Sequence, residues 1–206
     1  MAATSNDTRE VLLRAAVEIA EADGVGAIGL REAARRAGVT HGAPYRHFEN
    51  QQALVAAVAE QGFRQLMADV QAAQAAAGND VLARFHALGQ AYVRFALEHP
   101  GQFRVMFGAE AAAEPAVRSA EAAVFALAVN EIASAQRQGL IAAGDPQELA
   151  LLAWSTGHGL AVLMSDGLVE WVGLGTTSER LAKRITALMF NGLKHGVPPA
   201  RARKSA

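Results

Sequence analysis

Leu30–Phe48 reads LREAARRAGVTHGAPYRHF, and two short helical patterns meet inside it at Gly38-Val39-Thr40. In the first, Leu30–Ala37, the apolar residues Leu30, Ala34 and Ala37 point inward, while Arg31, Arg35 and Arg36 point outward. Gly29 stands where a cap is needed. Gly38 can take the left-handed conformation that ends a helix, and Thr40 can cap the next. The second pattern carries His41, Tyr45, Arg46 and His47. Pro44 is the fourth helical residue counted from Thr40, so we place it among the first N–H groups, where a proline costs little, and expect a short α-helix. Two short helices around a glycine turn, the second bearing polar side chains, form a helix-turn-helix of the kind whose second helix lies in a DNA major groove.

Upstream, Asp7 followed three residues later by Glu10 resembles a capping box that opens a helix to about Ala22, with Leu12, Ala16 and Ile19 at helical spacing. Downstream, Glu49-Asn50 breaks the chain before long helical patterns at 51–77 and 80–98. His99-Pro100-Gly101 turns into a short apolar segment, 102–108. Pro115 and Asp145-Pro146 then open helices to about Gln138 and Met164. A glycine-containing loop, 165–177, holds Trp171, and a last helix runs to about Lys194 before a basic tail. The expected fold is all-α. Residues 1–50 form a three-helix unit that carries the helix-turn-helix, 51–197 a six-helix domain, and 198–206 the tail.

The chain has 206 residues, half of them hydrophobic (51%) and few aromatic (6%), enough for a substantial helical core. It has no cysteine, which excludes disulfides and thiolate metal sites. A polar N-terminus argues against a secretory signal, and no apolar run is long enough to span a membrane, so a cytoplasmic protein is expected. Nineteen basic against twenty acidic residues give a net charge of −1, not the basic balance of a dedicated nucleic-acid binder. Within Leu30–Phe48, four arginines oppose Glu32 alone, a local charge of +3. Phosphate attraction is then confined to a patch, and binding depends strongly on salt.

Leu30-Arg31, Ala34, Ala37-Gly38-Val39-Thr40, Tyr45, His47-Phe48 and Ala53-Leu54 stand at spacings that resemble the signature of TetR-family transcriptional regulators. His99–Gly108, reading HPGQFRVMFG, and Trp154 with Gly157-His158-Gly159 resemble the family subgroup whose ligand-binding domain is named for Trp-His-Gly. The resemblance implies a homodimer joined through its last two long helices, with two DNA heads and a helical body that takes a small effector.

Matching family positions, Arg31 reaches a guanine edge or phosphate, and Tyr45 and His47 bond phosphate oxygens; Arg46 faces phosphate or solvent. The blander reading makes Arg31 a solvated side chain and Tyr45 a core aromatic. Thr40, His41, Gly42 and Ala43 form the turn that points at base edges, where His41 does most of the reading and Ala43 can touch a thymine methyl. The sequence departs from many members at Gln51, where a lysine grips phosphate; a neutral amide can bond phosphate but releases no counterion.

In the body, Phe63, Met67, Phe103, Met106, Phe107, Phe125 and Trp154, with Met164, would line an apolar, adaptable pocket if they converge, and His158 would supply a polar group. A Met or aromatic residue at helical spacing is more often ordinary core, and His158 can equally be a satisfied core histidine. Ser155, His158 and Asp166 suggest a nucleophilic triad by type alone: two share a helix and there is no G-x-S-x-G elbow. The six histidines show no metal spacing. No enzyme, metal or cofactor is expected. The partners are an operator duplex, a small effector and a second copy of the chain. A second reading keeps the fold and makes the DNA heads vestigial, leaving a small-molecule-binding helical protein.

Overall fold

The computed structural model describes residues 5–169, 172–173 and 176–195. Trp171 and the basic tail 198–206 lie outside the described residues. Nine α-helices occur among the described residues, and no strand: α1 (Ser5–Asp23), α2 (Leu30–Ala37), α3 (Gln51–Ala76), α4 (Val81–Glu98), α5 (Pro100–Met106), α6 (Ala109–Ala112), α7 (Pro115–Arg137), α8 (Pro146–Ser165) and α9 (Ser178–His195). The all-α reading holds. No helix of the described residues is long and apolar enough to cross a membrane.

Local chemistry explains most boundaries. The Asn50 carboxamide oxygen accepts the Ala53 N–H at 2.9 Å, and Asp80 accepts those of Leu82 and Ala83 at 2.8 and 3.0 Å. Asp145 accepts the Gln147 N–H at 2.8 Å beside Pro146 at the first helical position. Gly38 ends α2 at φ +67°, with its own N–H on the Arg35 carbonyl and the Val39 N–H on that of Ala34. That double bond is a Schellman stop, and its left-handed residue is where glycine avoids a Cβ penalty.

Two expectations need correction. Helix α1 begins at Ser5, so Asp7 lies inside its first turn, where a carboxylate suits the positive end of the helix, and does not cap it. The expected α-helix after Thr40 is a single 3-10 turn, Pro44–Arg46. The first α-helical bond after a Thr40 cap would run from the N–H of residue 44 to the Thr40 carbonyl, and proline has no N–H. The Thr40 carbonyl takes the Ala43 N–H instead, at 2.9 Å, and the Ala43 carbonyl takes that of Arg46 at 3.2 Å. Three-residue closure follows.

Contacts divide the chain into two compact units, Met1–Gln71 with Arg94–Val124 and Ala72–Val93 with Phe125–Ala206. The first is built on Leu12, Ala16 and Ile19 of α1, the face read from their spacing, together with Ile28, Ala33, Ala34, Phe48, Leu54 and Val58, all buried. The second packs Phe85, Ala128, Ile132, Ala150, Phe190 and Leu193 into one core. Beside that core lies a polar cluster absent from the sequence reading. Glu131 Oε1 accepts hydrogen bonds from Gln74 Nε2 at 3.0 Å and from Arg84 Nε and Nη2 at 2.9 and 2.6 Å.

Candidate functional site

The segment from Thr40 to Phe48 has a dry side and a wet side. Pro44 and Phe48 are buried, and the Arg9 guanidinium lies 5.5 Å over the Phe48 ring. Thr40, His41, Gly42 and Arg46 are exposed, Ala43 and His47 half-buried, and Tyr45 is 55% exposed. Tyr45 is therefore not a core aromatic. Arg31, in the first turn of α2, and Gln51, the first residue of α3, are exposed as well. The 3-10 turn creates this division, because its two apolar residues, four positions apart, anchor it and leave the side chains between them outside.

The charge of this surface differs from the count made on the stretch alone. Arg35 forms a two-pronged pair with Glu32, at 2.8 and 2.6 Å. Arg36 reaches back to Asp23 at 2.7 Å, and lies 3.6 Å from Glu32. The hydrogen bond from Arg35 holds the Glu32 carboxyl below its usual range. Counting Asp23, four arginines face two carboxylates, a charge of +2. Neither the Arg31 nor the Arg46 side chain shares a hydrogen bond or ion pair with another described residue, so these two cations are available to an outside anion without breaking a pair.

The residues expected to line a pocket fall into two groups, one in each unit. In the first, the Phe63 ring meets Phe107 edge-on at 5.3 Å, and Phe107 lies 5.0 Å from Phe103. Met106 packs over Gly62, where a Cβ would stand 2.8 Å from the Met106 Cγ. Phe63, Phe103 and Met106 are buried; Met67 and Phe107 are half-buried. In the second, Phe125 meets Trp154 at 5.9 Å and Trp154 meets His158 at 5.9 Å. Met164 is half-buried near the end of α8.

The second group has a member that sequence reasoning missed. The indole N–H of Trp154 donates to the Tyr92 hydroxyl at 3.1 Å, and that hydroxyl lies 2.8 Å from His158 Nδ1. Indole is a donor only. The arrangement that uses each group once has the Tyr92 O–H donating to Nδ1, which puts the imidazole proton on Nε2. A signal was present: Tyr92 is one of only two tyrosines, and a buried tyrosine hydroxyl needs a partner.

Burial lowers the pKa of His158, and burial is also the main cause of the lowered pKa of His86. The folded chain then binds fewer protons than the unfolded one as pH falls below the ordinary histidine value of about 6.5. Stability should be full at pH 7.5 and should fall toward pH 5.5, read as a declining Tm. Glu121, whose carboxyl burial raises, acts with the opposite sign, so the histidine part is isolated by comparison with His158→Gln. The variant should show a shallower decline; an equal decline refutes the assignment.

Residues 12–58 match the family model described as bacterial regulatory proteins, tetR family, and residues 85–189 match the Tetracyclin repressor-like, C-terminal domain. Among curated proteins none matches. A protein of unknown function from Rhodococcus sp. RHA1 is 38% identical, with a TM-score of 0.81 over 91% of this chain and 95% of that one. The fatty acid degradation regulator FadR from Bacillus halodurans superposes with a TM-score of 0.73 at 14% identity, over 91% of this chain and 96% of its own. PfmR, a TetR family transcriptional regulator from Thermus thermophilus, gives 0.67 at 17%, over 88% and 98%. At those identities the last two likenesses establish the fold alone.

Proposed function

Since this chain belongs to the TetR family of bacterial regulatory proteins, DNA-binding transcriptional regulators with a ligand-binding domain, we propose that it is a dimeric repressor that holds a palindromic operator until a small apolar effector releases it. The observation that carries the reading is the two-sided segment at Thr40–Phe48: Pro44 and Phe48 face in, and the side chains suited to DNA face out. Arg31 reaches the groove edge, where its fork can bond guanine O6 and N7 together. His41 does most of the base reading, and the small residues Gly42 and Ala43 let the turn approach base edges closely. Thr40, Tyr45, Arg46, His47 and Gln51 fix the register on phosphate.

Two heads bound together need half-sites close to a helical turn apart, roughly 34–36 Å. The effector acts through its differential affinity for head spacings that do and do not match this distance. Operator therefore weakens effector binding by the factor with which effector weakens operator binding. The two aromatic groups, around Phe63 and around Trp154, support an apolar or aromatic effector.

Fluorescence anisotropy with the protein's own upstream intergenic DNA, against a scrambled duplex over a salt series, tests the reading. Preference for its own DNA by about a thousandfold is expected. Arg31→Ala should lose about tenfold or more of that preference and reduce the salt slope by about one per head. Equal weak binding to both duplexes, unchanged by Arg31→Ala, would leave the heads without a DNA role.

A further inference from the structure

We infer that the Glu21 carboxylate is a positioning residue that seats the DNA-contacting helices on α5, and that it sets operator affinity without touching DNA. The inference rests on the regulator reading above. Glu21 lies in the last turn of α1, and its two oxygens accept the backbone N–H groups of Gly101 and Gln102 at 2.8 and 2.9 Å. These groups belong to the first turn of α5, where no helical carbonyl can reach them. Pro100, before them, has no N–H to offer. One carboxylate thus satisfies both of the first free donors of α5, and charged acceptors make the stronger hydrogen bonds.

Gly101 makes this approach possible. A Cβ at that position would stand 2.6 Å from the Glu21 backbone nitrogen and collide with the Ala20 carbonyl. Both obstacles are backbone, which cannot step aside. Gln102, buried, ties the same turn to α3 by donating from Nε2 to the Val58 carbonyl at 3.2 Å. The segment His99–Phe103 now has an account for each step: Pro100 opens the helix, Gly101 lets α1 in, Gln102 bonds both neighbours, and Phe103 enters the aromatic group.

α5 is one rigid piece of seven residues. Its first turn is clamped by Glu21, and further along it carries Phe103 and Met106, with Phe107 next in the chain and packed on Phe63. α1 in turn packs on α2, which bears Arg31. A displacement of the Phe103–Phe107 cluster therefore moves the two N–H groups that Glu21 holds, and the operator-facing side chains follow.

Glu21→Gln tests this. The amide keeps the shape and one acceptor oxygen, but its NH2 group confronts a backbone N–H that it cannot accept. The probe is a duplex that the wild-type protein selects from a random-sequence pool, with a scrambled duplex as control, well below the Tm of both proteins. The variant should bind the selected duplex about tenfold more weakly, within the usual span of coupling factors. Its affinity for the scrambled duplex, and the salt slope, should not change, because the phosphate-facing side chains are intact. Wild-type affinity for the selected duplex, or equal losses on both, overturns the inference. If the wild type selects no duplex, the regulator reading falls, and hydrogen exchange decides the clamp without DNA. In Glu21→Gln the amides of Gly101, Gln102, α1 and α2 must then lose protection together; acceleration confined to Gly101 and Gln102 overturns it.

Discussion

Leu188→Glu should leave a folded monomer that holds operator DNA at least about a hundredfold more weakly than the wild type, the low end of what linking two binding heads confers. Leu188 is 63% exposed on α9, a helix that elsewhere buries Leu181, Ala182, Phe190 and Leu193. On α8, Leu151, Leu152 and Leu163 are exposed too, and a Cβ built at Gly157, Gly159 or Gly192 meets nothing within 4 Å. Water-facing leucines beside bare glycine backbone make a surface that a second copy can cover closely. In a two-fold interface each residue occurs twice, so the substitution places two carboxylates in an apolar seam with no partner. Little is lost inside the protomer, because the leucine has few neighbours there. Sedimentation equilibrium with anisotropy on operator DNA gives the answer. A dimer of unchanged operator affinity would move the interface away from α8 and α9.

The second large effect concerns stability. Arg84→Ala should cost about 2–3 kcal/mol, since it strands a carboxylate that stays almost wholly out of water. The Glu131 side chain is 8% exposed, and without Arg84 only the Gln74 amide still bonds it among the described residues. The Arg84 side chain is 33% exposed, which keeps the effect below the roughly 3–5 kcal/mol of fully buried pairs. Replacing the whole cluster, with Gln74→Leu, Arg84→Met and Glu131→Leu together, should cost less than the single change, because no desolvated charge then remains. Urea unfolding at pH 7 compares the two. A triple variant less stable than Arg84→Ala would mean that the ion pair stabilises beyond its desolvation cost.

Much of the candidate site was legible from residue order. The burial of Leu30 and Ala34, the outward Arg31 and Arg35, the stop at Gly38 and the inward Pro44 and Phe48 all follow from helical spacing and from the conformations open to glycine and proline. The helix expected after Thr40 does not form because Pro44 stands where the first α-helical N–H is needed, a constraint already present in the residue order. The Arg36–Asp23 pair lay beyond reach for a different reason: its partners stand thirteen residues apart on separate helices. Local charge counts treat such a carboxylate as absent.

Short-range rules therefore determined most of the helices, the apolar faces of α1 and α2, and the exposure of Arg31, Tyr45 and Arg46, because each depends on neighbours within about one helical turn. Tertiary structure alone decided which distant side chains meet. Tyr92 joins Trp154 and His158 across more than sixty residues, Glu131 gathers Gln74 and Arg84, and Glu21 reaches the first N–H groups of α5 eighty residues on. A polar group announces in the sequence that it needs a partner once buried, but the partner's identity is set only when packing brings distant helices within hydrogen-bonding distance.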